Sequence, residues 1–418
     1  MRPTSPRSRL ALACLAALAL GGTAIATAGD RAQAAKDRKV EVIFVGSNWD
    51  GTVEVVEGDK PYNRIARLNA VPDLEERLAA MDPVQLIAFY VLIRNLGGEG
   101  HDQLVDDMYS SRDGRLLVVS RPSLADVVGL DLATGEVVWR FPMEGLRADH
   151  MGMSPDGREV AVSDFTANKV HILDVKTGRK LGEFESGDSP HENTYSDDGE
   201  RIYHASIGLV YTPTDRPVLD TTKGDRYFQV VDADTGEIIK RVDMGQKLAE
   251  AGYPDMSSAV RPMAVTHDER FVYLQVSFFH GYVKYDLRRD RVVEVVRLPI
   301  ADHIRSMPRE NYLLDSAHHG IAINGANTKL CVAGTMSDYA AIVPVKTGKP
   351  TIIDAGLKPY WATTTSDGKN CLVSWSGSDR VSVISYRKRK IVADFRVGDH
   401  PQRVRMGYVR RSFVRAHR

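Results

Sequence analysis

Chemistry in this 418-residue sequence gathers at one recurring offset. A turn of the form Ser-Pro-Asp-Gly, or a close relative, returns along the chain, and the residues six and seven positions before its Asp are titratable or aromatic. Ahead of Asp113 they are Asp107 and Asp106. Ahead of Asp156 they are His150 and Asp149, and ahead of Asp198 they are Glu192 and His191. Ahead of Asp268 come Pro262 and Arg261, ahead of Ala326 come Gly320 and His319, and ahead of Asp367 come Trp361 and Tyr360. Gln402 and Arg403 supply a last pair. Imidazoles suit Zn, Cu, Fe or Ni, with carboxylates as further or outer ligands. A carboxylate beside them can move protons. Arg receives a carboxylate or phosphate in bidentate fashion, and the Tyr-Trp pair offers an apolar rim. No H-x-H or H-E-x-x-H spacing puts two ligands on one element, so a site would have to be assembled from separate units.

Those units are β-sheets of four strands. In the clearest one a strand at 149–153 meets Ser154-Pro155-Asp156-Gly157, a second strand spans 159–163, a third 169–174 and a fourth 179–185, with Lys176-Thr177-Gly178 turning the last pair. Asp113 to Asp156 is 43 residues, Asp156 to Asp198 is 42, and Ala326 to Asp367 is 41. A period near 40 with four strands per period is the pattern of a β-propeller. Six units are complete. The seventh is split: 400–406 reads as a lone first strand, and the N-terminus from Lys39 supplies three strands without a first. Joining them closes the ring and pairs edges otherwise left open. The expectation is an all-β, seven-bladed β-propeller over residues 39–410, with eight blades as the alternative count.

One stretch breaks the pattern. Residues 70–100 carry helix starts at Asp73 and Asp82 and a stop at Gly97-Gly98. The second helix is apolar from Val84 to Ile93, so it packs on or covers something.

Hydrophobic content is 43% and charged content 26%, as in a soluble globular chain. Lys+Arg and Asp+Glu are both 55, which argues against nucleic acid as a partner. Residues 1–28 read as a signal peptide: Arg2, Arg7 and Arg9, an apolar run from Leu10 to Leu20, and Ala26-Thr27-Ala28 as a cleavage site. The expected location is therefore secreted or periplasmic, with no integral membrane segment after cleavage and a monomeric state. Cys331 and Cys371 lie in second strands of neighbouring units. Export permits a disulfide, but their offsets from the turn differ by one residue, which changes the face of a strand; a bridge and two buried thiols both remain open.

Ser-Pro-Asp-Gly, then Val-Ala-Val-Ser-Asp, then Val-His-Ile-Leu-Asp-Val-Lys-Thr-Gly resembles the YVTN/YncE-type repeat of exported bacterial β-propellers, a look shared with quinoprotein amine dehydrogenase-like and nitrous-oxide reductase-like propellers. The resemblance spans nearly all of 39–410 and is specific for fold rather than activity. It implies that first strands line a central channel and that loops joining fourth to first and second to third strands share one face. The insert at 70–100, the loops 245–259 and 300–316, and the long loop 208–223 would then all lie on that face, and long loops on one face mark a binding site.

The expectation is an exported binding module that holds a small ligand or a cell-envelope partner at the capped mouth of the channel. The alternative is a metalloenzyme (lyase, hydrolase or oxidase) acting on a small molecule there. In that case His150, His191 and His319 hold a transition metal (Cu, Zn or Fe), Glu192 and Asp107 are the catalytic proton carriers, and Arg261, Tyr360, Trp361 and Arg403 bind ligand. Set against both is a wet channel mouth whose polar residues bind only water.

Overall fold

The computed structural model describes residues 38–210, 217–312, 314 and 316–418. The signal-peptide expectation for 1–28 falls outside them, as does part of the 208–223 loop. The described residues form seven four-stranded antiparallel sheets arranged as a propeller. Blade 1 is the split one: Pro401–Arg410 pairs with Lys39–Ser47, which continues to Thr52–Glu57 and Arg64–Asn69. The closing register runs from Lys39 opposite Arg410 to Val45 opposite Val404. Blades 2 to 7 follow in order, with first strands Asp107–Ser110, Ala148–Met153, Pro190–Tyr195, Val260–Val265, Gly320–Ile323 and Pro359–Thr364.

The repeating turn has a local cause. In blade 3, Ser154 Oγ accepts from Glu159 N at 3.0 Å and donates to Asp156 Oδ1 at 2.8 Å, while Asp156 Oδ1 accepts from Arg158 N. Gly157 then takes a left-handed φ of 69°, which favours glycine. Ser111/Asp113, Ser196/Asp198, Thr266/Asp268 and Thr365/Asp367 repeat the arrangement. In blade 6, Asn324 Oδ1 does the work alone, accepting from Thr328 N and Lys329 N. Because each turn is built the same way, a fixed count back from it reaches the same level of the first strand in every blade.

The core lies between blades rather than inside one. Alternate residues of each sheet face opposite neighbours, and apolar clusters such as Ala322, Cys331, Ile342, Ala362, Cys371 and Val373 fill the gap between blades 6 and 7. Cys331 and Cys371 form a disulfide there. The one-residue difference in their offsets is what the bridge requires: two side chains that meet across a gap between blades come from opposite faces of their sheets.

The insert between blades 1 and 2 is helical over Leu74–Ala80, Pro83–Ile87 and Ala88–Ile93, the last π-helical, with Gly98 N donating to Ile93 O. Asp82 caps the second helix in a reciprocal box with Gln85. Phe89 and Ile93 are buried, and Phe89 packs with Val71, Leu104 and Leu124. Val84, Ile87 and Val91 stay more than half exposed. No helix among the described residues is long and apolar enough to cross a membrane.

Candidate functional site

The first strands deliver their side chains to one centre. Asp106, Asp107, Asp149, His150, His191, Glu192, Arg261, His319, Tyr360, Trp361, Gln402 and Arg403 are all buried. Ligand nitrogens of His150, His191 and His319 lie within 4.8 Å of one another. The rings of His150 and His191 are 3.7 Å apart between centroids, and His319 stands edge-on to them at 5.8 and 5.7 Å.

Two of these imidazoles are held from behind. His150 Nδ1 is 2.9 Å from Glu192 Oε2, and His191 Nδ1 is 3.1 Å from Asp149 Oδ2. Metal-ligating histidines characteristically have a carboxylate at the second ring nitrogen. Neither His191 Nε2 nor His319 Nδ1 has a hydrogen-bond partner among the described residues. These features fit a metal. One feature opposes it: the Arg403 guanidinium contacts His150 Nε2. A cation at that nitrogen requires Arg403 to turn toward Asp106 or Asp107, whose nearest oxygens are each 3.9 Å away.

Arg147, Arg261, Arg403 and Arg405 stand beside Asp106, Asp107, Asp149 and Glu192 in the mouth. Arg405 grips Asp107 through two bonds, at 2.9 and 2.7 Å, and Met151 N also donates to Asp107. Arg147 is 3.5 Å from Asp149. Arg261 turns away, donating to Ser277 Oγ and to Leu314 O. Burial drives the titrations. It pushes the Glu192 carboxyl up to about 8, with Arg403 and Arg405 opposing the rise. Asp106 and Asp149 are raised by the same loss of water. His150, His191 and His319 fall well below the ordinary imidazole value through burial, reinforced by Arg403 and, for His191 and His319, by Arg261. The three rings are therefore neutral, the form that ligates metals.

Aromatic rings flank the imidazoles. Tyr360 lies on His319 with centroids 4.1 Å apart, and Trp361 carries the Arg403 guanidinium at 3.8 Å. Trp49 is sandwiched between His101, just past the insert, and His400, each at 3.8 Å. Glu99 of the insert pairs with Lys358 at 2.5 Å and approaches His400 at 3.5 Å. Between the insert and the loops of blades 3 and 4 lies a cavity of about 360 Å³. Ala88, Leu92 and Ile93 roof it, Phe165 and Leu209 wall it, and Arg147 links it to Asp149.

Most residues singled out by the turn count reach this centre; Gln402 is buried with its backbone carbonyl accepting from Ser374 Oγ, Arg261 donates to Ser277 Oγ and Leu314 O, and Pro262 and Gly320 bring no polar side chain. The count missed Arg147, Arg405, and the Trp49–His101–His400 stack. Arg405 carried a signal: it is two residues beyond Arg403 on the same strand, hence on the same face.

No protein-family model matches the chain, and no curated protein matches it in sequence. Among solved structures it is similar to the dihydro-heme d1 dehydrogenase NirN in complex with DHE, at 13% identity and a TM-score of 0.50. The match covers 85% of this chain and 64% of that one, so this chain spans a little under two thirds of the neighbour's length. At that identity the likeness is one of fold: this chain is a seven-bladed β-propeller.

Proposed function

We propose that this chain is an exported, monomeric binding protein of the YVTN/YncE propeller type, and that the capped mouth of its channel holds a small ligand. The observation that carries this reading is the conjunction of a roofed 360 Å³ cavity with a buried polar floor, joined through Arg147 and Asp149. A cavity of that size with apolar walls and a few convergent charges is what small-molecule sites are made of. The neighbour's complex supports the idea that a propeller of this architecture carries a ligand. Arg147, Phe165 and Leu209 line the cavity and are its contact side chains, whereas Arg403, Tyr360 and Trp361, buried at the channel centre, would meet only a ligand that reaches the imidazoles, with Arg261 acting through its charge.

A second reading concerns the floor. The convergence of His150, His191 and His319, two of them backed by carboxylates, favours a transition metal held by those three imidazoles. Such a metal would supply Lewis-acid or redox chemistry when bound. Glu192, near-neutral in its titration and in contact with His150, is the group placed to move a proton. The pair of hydrogen bonds that Arg405 donates to Asp107 gives Asp107 a positioning role instead.

The test is elemental mass spectrometry on purified protein lacking residues 1–28, before and after loading with copper, zinc, iron and nickel, beside His150→Ala and His319→Ala. A stoichiometric metal that both variants lose supports the metal floor, and its absence under all four loadings removes it. The ligand reading is tested separately by a thermal-shift screen of small molecules against the protein and its Leu92→Trp variant, which fills the cavity. Hits lost in the variant support the site; hits unaffected by it place binding elsewhere.

A further inference from the structure

The cavity under the insert, at about 360 Å³, has room for roughly a dozen non-hydrogen atoms if each takes the ~30 Å³ of a liquid water. Its charged side chains are already paired. Arg147 lies 3.5 Å from Asp149 and carries its guanidinium 4.9 Å from the centroid of the Phe165 ring. Asp188 Oδ1 accepts from Asn168 Nδ2 at 2.5 Å, and Asp188 Oδ2 accepts from Asp225 N at 2.8 Å. Asn168 Oδ1 in turn accepts from Ser189 N, and Thr166 Oγ1 accepts from Leu146 N. An ionised ligand group entering here would lose its water and have to break into these bonds to find a partner.

The roof has the opposite character. The insert helix widens into a π-turn over Ala88–Ile93, and such turns inside helices occur mostly at functional sites. Ala88, Leu92 and Ile93 of that turn all line the cavity. Leu92 and, from the blade 4 loop, Leu209 do so while 43% and 51% exposed, so the apolar lining runs out to the surface. Val84, Ile87 and Val91, spaced three and four apart along the same helix, stay more than half exposed. Five of the thirteen exposed large apolar side chains among the described residues ride on this one helix. Scattered apolar residues are ordinary surface; a concentration of them beside an apolar cavity marks a place that takes up something apolar.

We propose that the ligand of this cavity is an uncharged, largely hydrocarbon molecule, a medium-chain alkyl or alicyclic compound rather than an anion or a cation. Apolar walls reward each methylene removed from water, and the paired Arg147 and Asp188 offer an ionised group no vacancy. The exposed stretch of the insert helix is the lip over which such a molecule leaves solvent. This ligand class rests on the reading of the capped mouth as a ligand site.

The experiment is isothermal titration calorimetry of the full chain without residues 1–28, at pH 7, using 1-octanol, 1-butanol, octanoate and octylammonium. Saturable binding is expected for 1-octanol. Octanoate and octylammonium should bind about tenfold or more weakly, since each must bury a charge without a partner. 1-Butanol, four methylenes shorter, should bind about a hundredfold or more weakly. Leu92→Trp, which fills the cavity, should abolish 1-octanol binding, and Leu209→Asp, which puts a carboxylate on the opposite wall, should weaken it by about tenfold or more. Both positions are exposed, so both variants are expected to fold, and their thermal midpoints check this. Octanoate or octylammonium binding as tightly as 1-octanol, and lost in Leu92→Trp, would overturn the uncharged class while leaving the ligand site in place. No saturation by 1-octanol, equal binding of 1-butanol, or 1-octanol binding indifferent to both variants would also overturn it; the small-molecule screen against Leu92→Trp then decides whether the site itself stands.

Discussion

Among the described residues, two regions bring histidines and carboxylates together closely enough for a metal, and they differ in who already holds the carboxylate lone pairs. On the outer strands of blade 3, His171 stands near Glu144 and Glu183 with ligand atoms close enough for a metal. There the carboxylates are spoken for: Lys180 is 2.8 Å from Glu183 and 3.2 Å from Glu144, and Lys169 reaches both. The Lys180 hydrogen bond holds Glu183 down to about 2. In the mouth, burial raises the carboxyls and leaves imidazole nitrogens without partners. Proximity of ligand types is thus a weak guide. The outer carboxylates belong to a half-exposed lysine network, although His171 itself is buried with its Nδ1 lacking a hydrogen-bond partner among the described residues; in the inner cluster the carboxyls are buried too.

The sharpest way to break this contrast is to unbalance the inner charges. Arg405→Met leaves Asp107 buried without its partner, and a cost of about 3–5 kcal/mol is expected, read by denaturant unfolding. Asp107→Asn in the same chain should recover much of it. A cost below 1 kcal/mol would mean that the mouth is wetter than its burial implies.

Next in size are the groups behind the rings. If the inner cluster binds metal, Glu192→Gln and Asp149→Asn should each weaken it by about 10–100-fold, while Glu144→Gln and Glu183→Gln leave metal content unchanged. Loading should also release protons, because Glu192 gives its own up when a cation arrives. Equal effects at both clusters would erase the distinction.

Titration separates them further. The folded protein keeps a proton on Glu192 up to about 8, whereas an ordinary Glu loses it near 4.5. The folded state therefore binds more protons across that window, and stability falls as pH rises through it. The buried imidazoles act oppositely. His204, His318 and His400 drop to about 3 and His280 to about 4, all through burial. Unfolded imidazoles take up protons below about 6.5, so stability falls as pH drops from there toward 4. Between about 4.5 and 6.5 the imidazoles oppose the raised carboxyls of Glu192, Asp106 and Asp149, whereas above 6.5 the carboxyls act alone, so the thermal midpoint should fall from pH 6.5 to 8, and Glu192→Gln should flatten that alkaline fall. A midpoint that climbs steadily to pH 8 would contradict the raised carboxyl. The smallest effect belongs outside: Glu183→Gln should change stability by no more than about 0.5 kcal/mol.

Much of this architecture was legible from the chain alone, for a reason visible in the turns. Ser, Thr or Asn at the head of each turn bonds the backbone the same way, so counting from Asp156 or Asp367 reaches a fixed height on the first strand. That is why His150, His191 and His319 could be grouped without any spacing motif. Contacts between blades were not legible by counting. The Cys331–Cys371 bridge hid behind its uneven offsets, because facing residues come from opposite sides of two sheets. The partnership of Arg405 with Asp107 joins residues 298 apart. The His101–Trp49–His400 stack draws on the residue just past the insert and on both halves of the split blade, which no single repeat encodes.

The split blade also sets an order of assembly. Arg403 and Arg405 ride on Pro401–Arg410, the strand that leaves the ribosome after every other blade strand. Until it arrives, Asp107 lacks its guanidinium, Trp361 lacks its cationic cover, and the ring stands open between Lys39–Ser47 and the channel. A nascent chain with six finished blades thus carries the imidazoles without the charges that settle them. The centre matures only when Pro401–Arg410 docks on Lys39–Ser47.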